Sequence, residues 1–139
     1  MIYVAASSII TRSSDSKVLV GRRSMLKKYG PGEWETIGGS IEGNESPEEC
    51  IKREILEELK TTIKTCSYFR DYFTDNSAIA VFIITLEKEP SFDKSDFEEI
   101  KWVTKSEIEK MTFVLDCKQR ILDFFDFQDH ELSNYAKNR

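Results

Sequence analysis

Glu54, Glu57 and Glu58 stand in the run REILEELK, residues 53–60. Spacings of three and four put their carboxylates on one face of a helix, about one turn apart. Nothing about helix stability asks for this arrangement. Like charges at Glu54 and Glu58 cost roughly 0.2 to 0.5 kcal/mol, and acids close to a helix C-terminus oppose the macrodipole. Arg53 offers partial relief, because it can pair with Glu57 four residues on or with Glu49 four residues back, but one guanidinium cannot neutralise four acids. A hard divalent cation can. Mg²⁺ binds through a few carboxylates and fills its other positions with water and substrate phosphates, so three glutamates beside a glycine-rich loop suit metal-phosphate chemistry. The charge pattern taken alone suits a solvated acidic face as well.

The elements that would position these acids are legible around them. Ser46 reads as an N-cap, Pro47 as the first helical residue and Glu49 as the third member of a capping box. Cys50, Ile51, Ile55 and Leu59 recur at helical spacing and form the buried stripe. Upstream, MIYVAASSIIT and KVLVGRR read as two strands, followed by an irregular connection, SMLKKYGPGEWETIGG, with four of the six glycines. Downstream, IKTCSYFRDYF and SAIAVFIITLE read as strands joined by a short turn, and the second, apolar on both faces, belongs inside the sheet. A charged loop, EPSFDKSDFEE, leads to a short strand, IKWV, and to a short helix capped by Thr104 or Ser106. Cys117, Ile121, Phe124 and Phe125 predict a final amphipathic helix from Leu115 to about Phe127, fraying into SNYAKNR. Strands on either side of a well-signalled helix, with another helix at the end, predict an α/β sandwich around a mixed sheet.

At 139 residues the chain suits one domain, spanning 1–139. A formal net charge of -5 argues against broad nucleic-acid binding and means that a polyanionic substrate needs local cations. Arg22, Arg23, Lys27 and Lys28 supply such a cluster; the arginines, at a strand end, read as phosphate-binding, while the lysines suit a solvated patch equally. The opening residues lack a signal-peptide pattern and no segment reaches membrane-spanning length, so the expected location is cytoplasmic, without membrane association. Cys50, Cys66 and Cys117 are odd in number, far apart and accompanied by one histidine, which predicts reduced thiols rather than disulfides or zinc. Trp34, Tyr68, Phe69, Tyr72 and Phe73 read as core more readily than as a surface that stacks on a base. Phe124, Phe125 and Phe127 cannot share one helix face, so one should stay exposed and could join a subunit surface, as in a homodimer, or a partner surface.

Gly39, five residues, Glu45, seven residues, then Arg53-Glu54-Ile55-Leu56-Glu57-Glu58 resembles the signature of the Nudix hydrolase family, which continues with any residue, a glycine and an aliphatic residue. Six fixed positions match. The chain departs from the pattern at Lys60, Thr61 and Ile37, which replace the glycine, the aliphatic residue and a proline often found before the paired glycines. Because lysine enters the left-handed region less readily than glycine, the helix is expected to exit differently or run longer.

The resemblance implies a Nudix-type α/β/α sandwich and metal-dependent hydrolysis, with Mg²⁺ or Mn²⁺, of a nucleoside diphosphate linked to another group. By matching positions, Glu57 and Glu58 are the principal metal ligands, Glu54 is a further ligand or the base, and the Gly38 carbonyl is a metal contact. Arg53 and Glu45 form an orienting pair, Gly39 joins Arg22 and Arg23 at the substrate, and a further acid comes from Glu98 rather than Glu99. Marks associated with ADP-ribose, dinucleoside polyphosphate, coenzyme A or NADH cleavage are not evident after the helix, which favours a nucleoside triphosphate, split into monophosphate and pyrophosphate. Two other readings are a nucleotide-binding sensor without catalysis and an isoprenoid diphosphate isomerase. The isomerase would need a cysteine beside a glutamate, and Cys66 is the candidate.

Overall fold

In the computed structural model, which describes residues 2–137, strand β1 (Ile2–Thr11) runs through the middle of a mixed sheet. It pairs antiparallel with β2 (Val18–Arg23) and with the short β4 (Gly38–Ser40), and parallel with β6 (Ser77–Leu86). Strand β5 (Ile63–Thr74) forms the edge beyond β6, and β2 carries both β3 (Trp34–Glu35) and β7 (Phe97–Val103). The central place of β6 follows from its two apolar faces.

Side-chain alternation along these strands feeds two cores. Ile10, Leu19, Ala80 and Ile84 point to one side of the sheet, where Cys50, Ile51, Ile55 and Leu59 of helix α1 (Pro47–Leu59) cover them. Ile9, Val18, Val20 and Val81 point to the other, under Ile108 of α2 (Lys105–Glu109) and Ile121, Phe124 and Phe125 of α3 (Cys117–Lys137). This is an α/β sandwich of three layers, as the element pattern predicts. None of the described helices is long and apolar enough to cross a membrane, and the three cysteines are free thiols.

The Ser46 capping box forms as expected, with the side chains of Ser46 and Glu49 each accepting from the other's backbone N–H. The other end of α1 corrects an expectation. Lys60 takes the left-handed conformation itself, at φ 59° and ψ 29°, so the helix ends where a glycine would end it. The Lys60 N–H donates to Leu56 O as a glycine's would, and two side-chain contacts that glycine could not make hold the residue there: Nζ donates to the Glu57 carbonyl at 2.7 Å and pairs with Asp93 at 3.0 Å. The ammonium also supplies the positive charge that the last turn of α1 lacks.

Several boundaries differ from the pattern reading: the connection read as irregular holds β3 and the start of β4, which pair with β2 and β1, and α3 begins at Cys117 rather than Leu115. Strand β7 begins at Phe97, absorbing part of the charged loop, because the segment pairs with β2 from Arg23 to Val18. Helix α3 runs ten residues past Phe127, since residues 128–137 contain neither glycine nor proline to stop it. Of the three phenylalanines, Phe127 is the exposed one, at 41%, but its ring packs edge-on against Phe69 at 5.5 Å.

Candidate active site

Arg53 is the hub of the acidic helix. Its Nη2 and Nε grip both oxygens of Glu45, at 2.6 and 3.1 Å, and Nη2 also donates to the Ser40 carbonyl at 3.0 Å. Nη1 reaches Glu54 Oε1 at 2.9 Å and Glu57 Oε2 at 3.2 Å. One planar guanidinium thus ties the loop before α1 to the helix and sets two of its carboxylates. Glu49, the other partner open to Arg53 by spacing, is committed to the capping box.

The Arg53 guanidinium, helped by the Glu42 N–H, holds the Glu45 carboxyl at about 2 against its ordinary 4.5. A depressed carboxyl stabilises the fold above its ordinary value and loses that contribution as pH falls toward the folded value. Wild type should therefore lose stability faster than Glu45→Gln between about pH 4.5 and 2. Denaturation midpoints that stay parallel through this window would show that the pair contributes nothing to the fold.

Glu54, Glu57 and Glu58 open onto a polar cleft of about 300 Å³ whose other walls are Glu35, Asp96, Arg23, Lys27 and Gly38. Five carboxylates share the cleft with two cations. Oxygen Oε1 of Glu58 is shut off from solvent and has no hydrogen-bond partner. Burial, then neighbouring Glu54 and the charges of Glu35 and Asp96, drive the Glu58 carboxyl far above the usual carboxylate range. Burial also raises Glu35, against the pull of Arg23, whose Nη1 bridges both Glu35 oxygens at 3.1 Å. An orphaned carboxylate oxygen among five hard oxygen donors fits a divalent cation, which Glu54, Glu57, Glu58 and the Gly38 carbonyl could hold. Among the described residues no three acids are already drawn into a ligand shell, as expected of like charges with Arg53 as their only close counter-ion on α1.

The sequence-predicted residues divide into those the fold brings to the cleft and those it does not. Arg23 lines it, whereas Arg22, on the opposite face of β2, pairs with Glu99 at 3.2 Å outside it. Glu98 is likewise outside: its Oε2 accepts from the Met25 N–H at 3.0 Å, and Asp96 lines the cleft instead. The cause is a bulge. Arg22 pairs with Glu99 but Arg23 with Phe97, so Glu98 is the extra residue between them. Gly38 and Gly39 both border the site, and Gly39 leaves the space that the Glu54 carboxylate occupies.

A second cavity, also about 300 Å³, opens beside the first and shares Arg23, Glu35 and Gly38 with it. Ser7, Thr36, Ser40, Cys117 and Arg120 add further polar groups, Tyr29 adds an aromatic ring, and Val114 and Leu115 add apolar surface. Backbone hydrogen bonds from Trp34 to Thr112 and from Val114 to Trp34 hold the wall that bears Val114 and Leu115. Sequence reasoning missed Glu35, Asp96, Tyr29 and Arg120. For Arg120 a signal existed: it falls on the apolar stripe of α3, between Cys117 and Phe124, where a charge needs a reason. None of Trp34, Tyr68, Phe69, Tyr72 or Phe73 lines the second cavity.

Comparison with known proteins identifies the family and the fold. The family model for the NUDIX domain matches residues 1–123. The chain belongs to the Nudix hydrolase family. It is 31% identical over 103 residues to an uncharacterized Nudix hydrolase of Nostoc sp., covering 69% of this chain and 61% of that protein. It is 28% identical over 88 residues to the 8-oxo-dGTP diphosphatase of Proteus vulgaris, covering 60% of this chain and 76% of that one. The chain thus spans a little under two thirds of the length of the Nostoc relative. The fold resembles a MutT structure from work on Aliivibrio salmonicida and Vibrio cholerae, with a TM-score of 0.71, 22% identity and coverage of 88% of this chain and 99% of that one.

Within this Nudix fold, Lys60 at the end of α1 takes the left-handed conformation that glycine adopts most readily. Cys66, the cysteine that an isomerase would use, lies on β5 beside Glu48, Lys52 and Leu56, in a groove that shares none of the three helix glutamates of the acid cleft.

Proposed function

We propose that this Nudix protein is a metal-dependent pyrophosphohydrolase that splits nucleoside triphosphates into a monophosphate and pyrophosphate. The observation that carries the reading is the continuity of the two cavities through Arg23, Glu35 and Gly38: an acid-lined cleft suited to a metal and phosphates adjoins a half-apolar cavity suited to a nucleoside. The diphosphatase activity named for the Proteus relative supports it.

In this reading Glu54, Glu57, Glu58 and the Gly38 carbonyl hold Mg²⁺ or Mn²⁺. When bound, the cation withdraws charge from the pyrophosphate and acidifies water at neutral pH. The chain's own residues do the rest. Arg53 fixes the acids against one another, and with Glu54 Oε1 engaged by Arg53, Oε2 is the atom available to take a proton. Arg23 and Lys27, the two cations of the cleft, face the phosphates. Asp96 takes the place of Glu98 as the acid supplied from outside α1.

Incubation with a set of nucleoside triphosphates, nucleoside diphosphate sugars and dinucleotides, with Mg²⁺ or Mn²⁺, followed by separation of the phosphate products, tests the proposal. Monophosphate and pyrophosphate from a triphosphate are expected, and chelation should stop the reaction. Orthophosphate as the product, or turnover only of diphosphate-linked sugars, would replace the triphosphate reading.

A further inference from the structure

Arg120 carries chemistry that the acid cleft does not use. It sits on α3 at 4% exposure, with Nη2 paired to Asp116, Cζ 5.8 Å from the centre of the Tyr72 ring, and Nε without any acceptor. A buried guanidinium N–H left unpaired carries a desolvation cost that an acceptor on a bound ligand would return. The residue lines the second cavity. Several other polar groups there already serve one another: Ser7 Oγ and Thr36 Oγ1 share a hydrogen bond of 2.7 Å, Thr36 Oγ1 donates to Cys117 Sγ at 3.4 Å, and Arg23 Nη1 holds both Glu35 oxygens. Arg120 Nε is thus the buried donor on this cavity's wall that has no acceptor, and arginine can only donate.

We propose that Arg120 selects the base of the nucleotide by donating to an exocyclic carbonyl, so that guanine and hypoxanthine are taken in preference to adenine. Adenine presents an amino group where these bases present oxygen, which would set hydrogen against hydrogen and leave Nε unpaired. Discrimination of this kind is large when a site is built to pair a substrate group, because the wrong substrate strands the site's own polar atom. The proposal rests on the reading of the second cavity as the nucleoside end of the hydrolase site.

The decisive comparison uses inosine and purine riboside nucleotides: inosine carries an oxygen at carbon 6 and a hydrogen on N1, and purine riboside carries neither. Wild type should show kcat/KM about 10-fold to 100-fold higher for the inosine triphosphate, and GTP should exceed ATP in the same sense. Arg120→Met should bring each pair of values together. Calorimetric titration of the wild type with the two monophosphates gives a readout that needs neither turnover nor the variant, and the inosine compound should bind more tightly by a similar factor. Equal turnover of both triphosphates overturns base selection by Arg120 and leaves the hydrolase reading standing. Preferential binding of the inosine compound without hydrolysis of any triphosphate keeps base selection and removes the hydrolase reading. Absence of both binding and turnover removes both.

Discussion

Glu57→Gln and Glu58→Gln should each lower metal-dependent turnover by about 10² to 10⁴, yet only the second should make the metal-free protein more stable. The difference lies in burial. Glu57 is 57% exposed along its side chain, so replacing its charge should move stability by no more than about 0.5 kcal/mol. Glu58 keeps one oxygen out of water without a partner, and its carboxyl is driven upward by burial and by Glu54. A carboxyl raised in the folded state stabilises the fold below the ordinary carboxylate value, and that contribution is lost as pH rises through the folded value. Metal-free wild type should therefore melt at falling temperature as pH rises above about 5, while Glu58→Gln, neutral throughout, should lack this component. Added Mg²⁺ or Mn²⁺ should raise the melting temperature of wild type by mass action and that of either variant far less. Thermal scans across pH, with and without cation, read stability, and phosphate release reads turnover. If Glu58→Gln melted lower than wild type at every pH and kept full turnover, Glu58 would be a structural residue only.

Alanine at the paired glycines should separate fold from chemistry. At Gly38 an added Cβ would lie 2.3 Å from Ala6 O and 2.7 Å from Ser7 Cα. Both are backbone atoms of the central strand, and Ser7 is the register partner of Gly38. Neither can move without opening the pairing of β1 with β4, so Gly38→Ala should cost about 1 to 3 kcal/mol of stability. At Gly39 the three atoms nearest to an added Cβ all belong to the Glu54 carboxylate, with Oε1 at 2.4 Å. That side chain can swing aside, so Gly39→Ala should fold nearly as well as wild type. A displacement of about 1 Å at a catalytic carboxylate should nonetheless lower kcat by about 10². Denaturant midpoints and kcat for the two variants should therefore respond in opposite proportion. Equal losses of stability would mean that Glu54 is held too rigidly to yield.

Helix α1 shows how far local chemistry reaches. Its start is set by Ser46, Pro47 and Glu49, its buried stripe by Cys50, Ile51, Ile55 and Leu59, and the clustering of Glu54, Glu57 and Glu58 by helical pitch alone. All of these act within a few residues, so the sequence by itself determined them, along with the mixed sheet and the likeness to the Nudix signature. The C-terminal end of the same helix already escaped local reasoning, because the contact that holds Lys60 in a left-handed turn reaches Asp93, in a distant loop.

What only the tertiary structure decided is which groups face these acids. Asp96 rather than Glu98 lines the cleft because a bulge against β2 displaces one residue, and bulges depend on pairing between segments far apart in sequence. Arg23 rather than Arg22 turns inward because strand alternation has no sign until the sheet packs against a core. Glu35 and Arg120 reach their cavities through strand and helix contacts that span most of the chain. Short-range periodicity therefore placed the charged face of α1, whereas the packing of distant segments chose its counterparts, since a one-residue shift in register or one turn of a strand exchanges which side chain meets which.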